Sequence, residues 1–162
     1  MSKTPEQRAC EKIDIKLQQA EWMVQDIDEM DFTVSEGVAV REYPTDKGPA
    51  DYVLFLKDQN GPLPVGIIEA KKASEGQHLN VVQEQAEGYA NANLKFVSRN
   101  AIHFIYVSNG EVVKFTDKRD PKPRAREIFS FHQPTTLRDN LKKERSLRQR
   151  LLDLPELPED IL

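Results

Sequence analysis

Two short apolar runs joined by a turn constrain this chain more than any other feature. Ala50-Asp51-Tyr52-Val53-Leu54-Phe55 and Gly66-Ile67-Ile68-Glu69-Ala70 are rich in side chains that suit a pleated surface. Between them Lys57-Asp58-Gln59-Asn60-Gly61-Pro62 is turn chemistry, with Asn-Gly as a hairpin signal. Reflecting the chain about residue 60 brings Asp51 opposite Glu69. Side chains alternate along a strand, so Glu69 and Lys71 share one face while Ala70 points to the other. The spacing therefore gathers two carboxylates and an ammonium group on an otherwise apolar hairpin.

Electrostatics suggests a use for that cluster. Two carboxylates about 5 Å apart repel by roughly 3 kcal/mol at an effective dielectric of about 20. Lys71 offsets part of this; a divalent cation offsets more, and hard oxygen ligands suit magnesium. A metal held there acidifies water and stabilises charge developing on a phosphate. Lys71 is then placed to orient or deprotonate the attacking water. Asp51, Glu69 and Lys71 together describe metal-assisted phosphodiester hydrolysis. The plain alternative is an edge hairpin with an ordinary cross-strand ion pair. An acid, any residue and Lys also occurs at Asp14-Ile15-Lys16 and Asp120-Pro121-Lys122. The first lies in a helical pattern, where positions two apart do not share a face, and the second in a Pro-rich loop.

The segment Pro49-Ala50-Asp51 followed by Glu69-Ala70-Lys71 resembles the PD-(D/E)xK nuclease superfamily. More narrowly, the chain is similar to the N-terminal nuclease domain of the R (restriction) subunit of type I restriction-modification enzymes. Ala20-Glu21-Trp22 matches that family's Ala-Gly-Trp, with Glu21 in place of the usual Gly. Val38-Ala39-Val40-Arg41-Glu42-Tyr43 resembles the strand leading into the catalytic hairpin, and Gln85 and Tyr89 match a Gln-xxx-Tyr motif. The likeness runs from about residue 5 to about residue 132.

The resemblance implies an α/β, restriction-endonuclease-like core, a central mixed β-sheet flanked by α-helices. It implies a magnesium-dependent endodeoxyribonuclease with Asp51, Glu69 and Lys71 as catalytic residues. Asp51, Glu69, the Ala70 carbonyl and Glu6 would hold the metal; Gln85 and Tyr89 would position DNA or water. DNA and the methylation and specificity subunits of a restriction complex are the implied partners. ATP is implied only for a translocase motor. The motor is expected to lie outside this chain, because no Gly-xxxx-Gly-Lys-Ser/Thr loop occurs. The chain is then an excised domain or a naturally short relative. A stand-alone or RecB-like repair nuclease, or a nuclease-derived docking module without activity, are the competing readings.

Composition is consistent with one globular domain. The 162 residues are 38% hydrophobic and 31% charged, enough to bury a core. The single Cys10 excludes an intramolecular disulfide and fits a reducing cytoplasm. No apolar run approaches membrane-spanning length and no signal peptide opens the chain, so neither secretion nor a membrane is expected. The net charge of −4 conceals an asymmetry: residues 114–150 hold 12 Lys/Arg against 5 Asp/Glu, whereas residues 1–113 hold 11 against 18. The basic third could track phosphates, or could be an ordinary solvated helix and loop.

Thr4-Pro5-Glu6-Gln7 opens a helix with a capping box. Ala9, Ile13, Leu17, Ala20 and Val24 recur at helical steps and mark its buried side. Glu6 falls within that stripe; it either reaches the metal or simply favours the helix dipole. Residues 26–36 read as an exposed acidic connection, and Gly37–Glu42 as a strand. Gly48 and Pro49 suit a turn into the hairpin. Arg41 reads as a phosphate contact or a solubilising surface charge. A helix is predicted over 80–94 with Gln85 and Tyr89 as neighbours, functional or simply half-buried. Ala101–Val107, Glu111–Phe115 and Glu127–Phe131 read as further strands, with His103 a core group. His78 and His132 lack partners at zinc-ligand spacing. Pro134 to about Leu152 forms a charged helix, giving a nuclease domain over 1–133 and a helix and linker over 134–162.

Overall fold

Thr4 starts the first helix as its spacing predicts. In the computed structural model, which describes residues 4–71 and 102–153, α1 spans Pro5–Gln19. The Thr4 side chain accepts from the Gln7 amide at 3.2 Å, and the Gln7 side chain accepts from the Thr4 amide at 2.9 Å. Two otherwise orphaned N–H groups are satisfied reciprocally. Ala9, Ile13 and Leu17 are buried. The helix stops earlier than its apolar stripe suggests. Glu21 adopts φ 69°, its amide bonds to the Gln18 carbonyl at 3.0 Å, and the Trp22 amide bonds to Leu17 at 2.9 Å. That is a Schellman ending, and it turns Val24 out of the helix into the first strand.

Among the described residues seven strands follow: β1 (Met23–Asp26), β2 (Gly37–Tyr43), β3 (Ala50–Asp58), β4 (Gly61–Ala70), β5 (Phe104–Ser108), β6 (Val113–Asp117) and β7 (Arg126–Ile128). They lie side by side in chain order in one mixed sheet. β1 runs parallel to β2, and β4 to β5; the other neighbours are antiparallel. The acidic connection read over 26–36 is therefore corrected at its start, since Asp26 closes β1 and Ile27–Glu29 forms a 3-10 turn. The edge strand at the other side is shorter than expected: Phe129 lies past β7 and is 97% exposed.

The β3–β4 hairpin keeps its predicted register near the site, with Tyr52 opposite Ile68, Val53 opposite Ile67 and Leu54 opposite Gly66. A bulge between Leu54 and Phe55 then shifts the pairing by one, so that Phe55 faces Pro64. Pro62 and Pro64 are tolerated because β5 begins to pair with β4 only at Gly66, leaving that stretch a sheet edge.

Both faces of the sheet are covered. On one, Tyr52, Leu54, Ile68, Phe104 and Tyr106 pack with Ile13 and Leu17 of α1, with Trp22, and with Leu137 from the C-terminal helix α2 (Pro134–Asp153). The Trp22 indole donates to the His132 carbonyl at 2.8 Å, tying the end of α1 to the entry of α2. On the other face, Val38, Val53, Phe55, Ile67, Ile105 and Val107 form a second cluster. Each fully buried Leu, Ile or Phe contributes about 1.5–3 kcal/mol. No helix among the described residues is long and apolar enough to cross a membrane.

Candidate active site

β3 begins and β4 ends at the same end of the sheet, and this placement assembles the site. Asp51 is the second residue of β3; Glu69 and Ala70 close β4, with Lys71 immediately beyond. Continuing the register one step past Tyr52 and Ile68 sets Asp51 opposite Glu69. Alternation puts both carboxylates on the face of Val53 and Ile67. The Ala70 amide donates to Asp51 Oδ2 at 2.8 Å. Lys71 Nζ stands 3.6 Å from Glu69 Oε1, with the two side chains 20% and 8% exposed. The Lys71 amide donates to the Ser108 carbonyl at 2.8 Å, which carries the β4–β5 ladder one residue further and fixes the backbone under the ammonium group. The structure thus brings Asp51, Glu69 and Lys71 together.

Their electrostatics are those of an overcrowded acidic pair. The Glu69 carboxyl is pushed up to about 7, first by burial and next by Asp51, against the downward pull of Lys71. A proton or a cation relieves the same repulsion. Among the described residues no three His, Cys, Asp or Glu side chains converge as a metal-binding group. Asp51 and Glu69 supply two carboxylates, and a further oxygen would have to come from the backbone, as the Ala70 carbonyl at the end of β4. That hard, all-oxygen donor set fits magnesium. Glu6 sits in the first turn of α1, and its side chain lies outside the described residues. Gln85 and Tyr89 also lie outside them.

Asp51 and Ala70 open onto a cleft of about 790 Å³ between the start of α1 and the ends of β2–β4. Sequence reasoning missed most of its wall. Asp14 and Cys10 face it from α1, Arg41 and Glu42 from β2, and Tyr52 from β3. Arg41 is not a bare surface charge. Its Nη2 donates to Asp14 at 2.7 Å and its Nη1 to Asp26 at 3.0 Å. The Asp14 bond is the leading cause of a guanidinium pKa raised above its ordinary value. The Tyr52 hydroxyl donates to Asp14 Oδ1 at 2.6 Å, and burial with that bond raises its pKa too. Glu42 has φ 49°, a left-handed conformation that non-glycine residues adopt at a cost, within a strand beside Asp51. Burial, then Asp51, pushes the Cys10 thiol up to about 11. No local pattern announces these partners, which are separated from one another by up to 42 residues.

The two described histidines serve the fold, and His78 lies outside the described residues. His132 Nδ1 lies 2.8 Å from the Tyr106 hydroxyl, and burial lowers its pKa. His103 precedes β5, and its backbone bonds to Val65 and Lys118.

Among solved structures the chain is similar to the type IIG restriction endonuclease BpuSI, at 19% identity and a TM-score of 0.44, over 70% of this chain and 11% of that one. The chain thus spans about a tenth of that enzyme's length. No curated protein matches the chain. The family described as type I restriction enzyme R protein N terminus matches residues 7–124. That match takes in β1–β6, all of the cleft wall but Thr4, and the Asp51–Glu69–Lys71 cluster, and the chain belongs to this family.

Proposed function

We propose that this is a magnesium-dependent endonuclease domain that hydrolyses DNA phosphodiester bonds as the cleaving part of a type I restriction enzyme R protein. The observation that carries this is the acid pair: half-buried Asp51, held on the Ala70 amide at 2.8 Å, beside a buried Glu69 whose carboxyl pKa is raised, with Lys71 at 3.6 Å. Asp51, Glu69 and the Ala70 carbonyl would hold the metal, with Glu6 as a further ligand. When bound, the ion would supply the positive charge that polarises a phosphate and acidifies water. Lys71, steadied by Glu69, orients the attacking water and neutralises charge building on the phosphate oxygens. The Ala70 amide keeps the Asp51 carboxylate turned inward. Gln85 and Tyr89 keep the role of positioning DNA or solvent. DNA, the methylation and specificity subunits, a cytoplasmic setting and an ATP-driven motor elsewhere in the R protein complete the reading.

The test is nicking of supercoiled plasmid in magnesium or manganese. Asp51→Ala and Lys71→Ala should each abolish it while leaving a cooperative thermal transition. Undiminished nicking by either folded variant would assign the activity elsewhere.

A further inference from the structure

Asp14 stands outside the catalytic cluster, yet two adjacent strands converge on it. The Tyr52 hydroxyl donates to its Oδ1 at 2.6 Å and reaches the Cys10 carbonyl at 3.1 Å, so one phenol grips α1 at two points a helical turn apart. Arg41 donates to the same carboxylate from Nη2 at 2.7 Å and Nε at 3.4 Å. Arg41 and Tyr52 face each other across β2 and β3. Tyr52 is 1% exposed, the Asp14 side chain 17% and that of Arg41 35%, so the junction runs from the core out to the wall of the cleft.

Its position makes it a lever. Tyr52 is the chain neighbour of Asp51, and the two side chains leave β3 on opposite faces. Rolling β3 about its own axis would lift the Asp51 carboxylate from the Ala70 amide. The same roll would drag the buried phenol off α1, leaving its hydroxyl without Asp14. We infer that Asp14 is a positioning residue: by holding Tyr52 and Arg41 it locks α1 to β2 and β3, and so fixes the Asp51 carboxylate on the Ala70 amide. An effect on turnover rests on the nuclease reading above; the effect on the Asp51–Ala70 bond does not.

Amide hydrogen exchange at Ala70, compared with Ile67 and Ile68 on the same strand, reads that bond. Tyr52→Phe keeps the ring and removes the hydroxyl, Asp14→Ala removes the acceptor, and Asp14→Asn keeps an acceptor oxygen. Tyr52→Phe and Asp14→Ala should speed exchange at Ala70 about tenfold beyond any change at Ile67 and Ile68, and Asp14→Asn should restore most of the protection. In plasmid cleavage the first two should lower kcat about tenfold with KM for DNA held within about twofold. Exchange at Ala70 that merely follows Ile67 and Ile68 in every variant would overturn the inference, as would an Asn variant no better than Ala. A wild-type chain that cuts no DNA but shows the Ala70 effect would sink the nuclease reading and leave the positioning role standing.

Discussion

Replacing Glu69 by Gln should make this protein more stable and less active, and the size of the gain follows from the site. The Glu69 side chain is 8% exposed and its carboxyl is raised from 4.5 to about 7, with burial the main cause and Asp51 the next. The unfolded chain releases this proton near pH 4.5, while the folded chain keeps it until about pH 7. The folded state binds more protons over that window, so stability falls as pH rises through it. At 1.36 kcal/mol per pKa unit the loss is about 3 kcal/mol once Glu69 is ionised. Gln mimics the protonated acid and escapes it. The pull of Lys71 on the carboxylate is already contained in that shift, so the Gln variant keeps roughly 3 kcal/mol over wild type at pH 8. In urea, with chelator present, that is a midpoint on the order of 1–2 M higher than wild type. At pH 4.5 the two curves should converge. Magnesium or manganese should then stabilise wild type at pH 8 far more than the Gln variant, by mass action on the folded state. A Gln variant less stable than wild type at pH 8 without metal would refute the reasoning, since Lys71 would then outweigh burial and Asp51.

Glu21 closes α1 at φ 69°, a conformation that costs a residue with a side chain roughly 1 kcal/mol. Glu21→Gly should raise the free energy of unfolding by about 0.5–1 kcal/mol, and a loss of stability would show that the exposed Glu is doing something else. With its thiol pushed up to about 11, Cys10 should react with iodoacetamide at pH 8 more than about a hundredfold slower than a simple thiol. Asp51→Asn should speed that reaction by removing the charge that raises the thiol most, and an unchanged rate would show that Asp51 has no hold on it.

The hairpin and the capping box were legible because their determinants are local. Asn60-Gly61 and the acid at each end of the apolar runs lie within about twenty residues, and reflection about residue 60 holds from Tyr52 to Leu54. It fails beyond, where the bulge adds a residue that no composition marks. β1 was hidden for a different reason. Four half-exposed residues in a parallel edge strand carry no alternation, and Val24 happens to continue the helical stripe of α1 past its Schellman ending. Among the site residues, Asp51, Glu69 and Lys71 sit on one hairpin and could be found by spacing. Asp14, Arg41 and Tyr52 meet only through tertiary packing, with separations of 27 and 38 residues. Their side chains look like ordinary surface charges and a core aromatic until α1 is laid on the sheet.

Whether the Asp51–Glu69 pair is a cation site is decided by a crystal grown in manganese and measured at an anomalous wavelength. A peak about 2.1–2.3 Å from a carboxylate oxygen of each residue and from the Ala70 carbonyl, lost in Asp51→Ala, is the expected result. A clean map there at millimolar manganese, with the wild-type chain still cutting DNA, would place the chemistry on other residues.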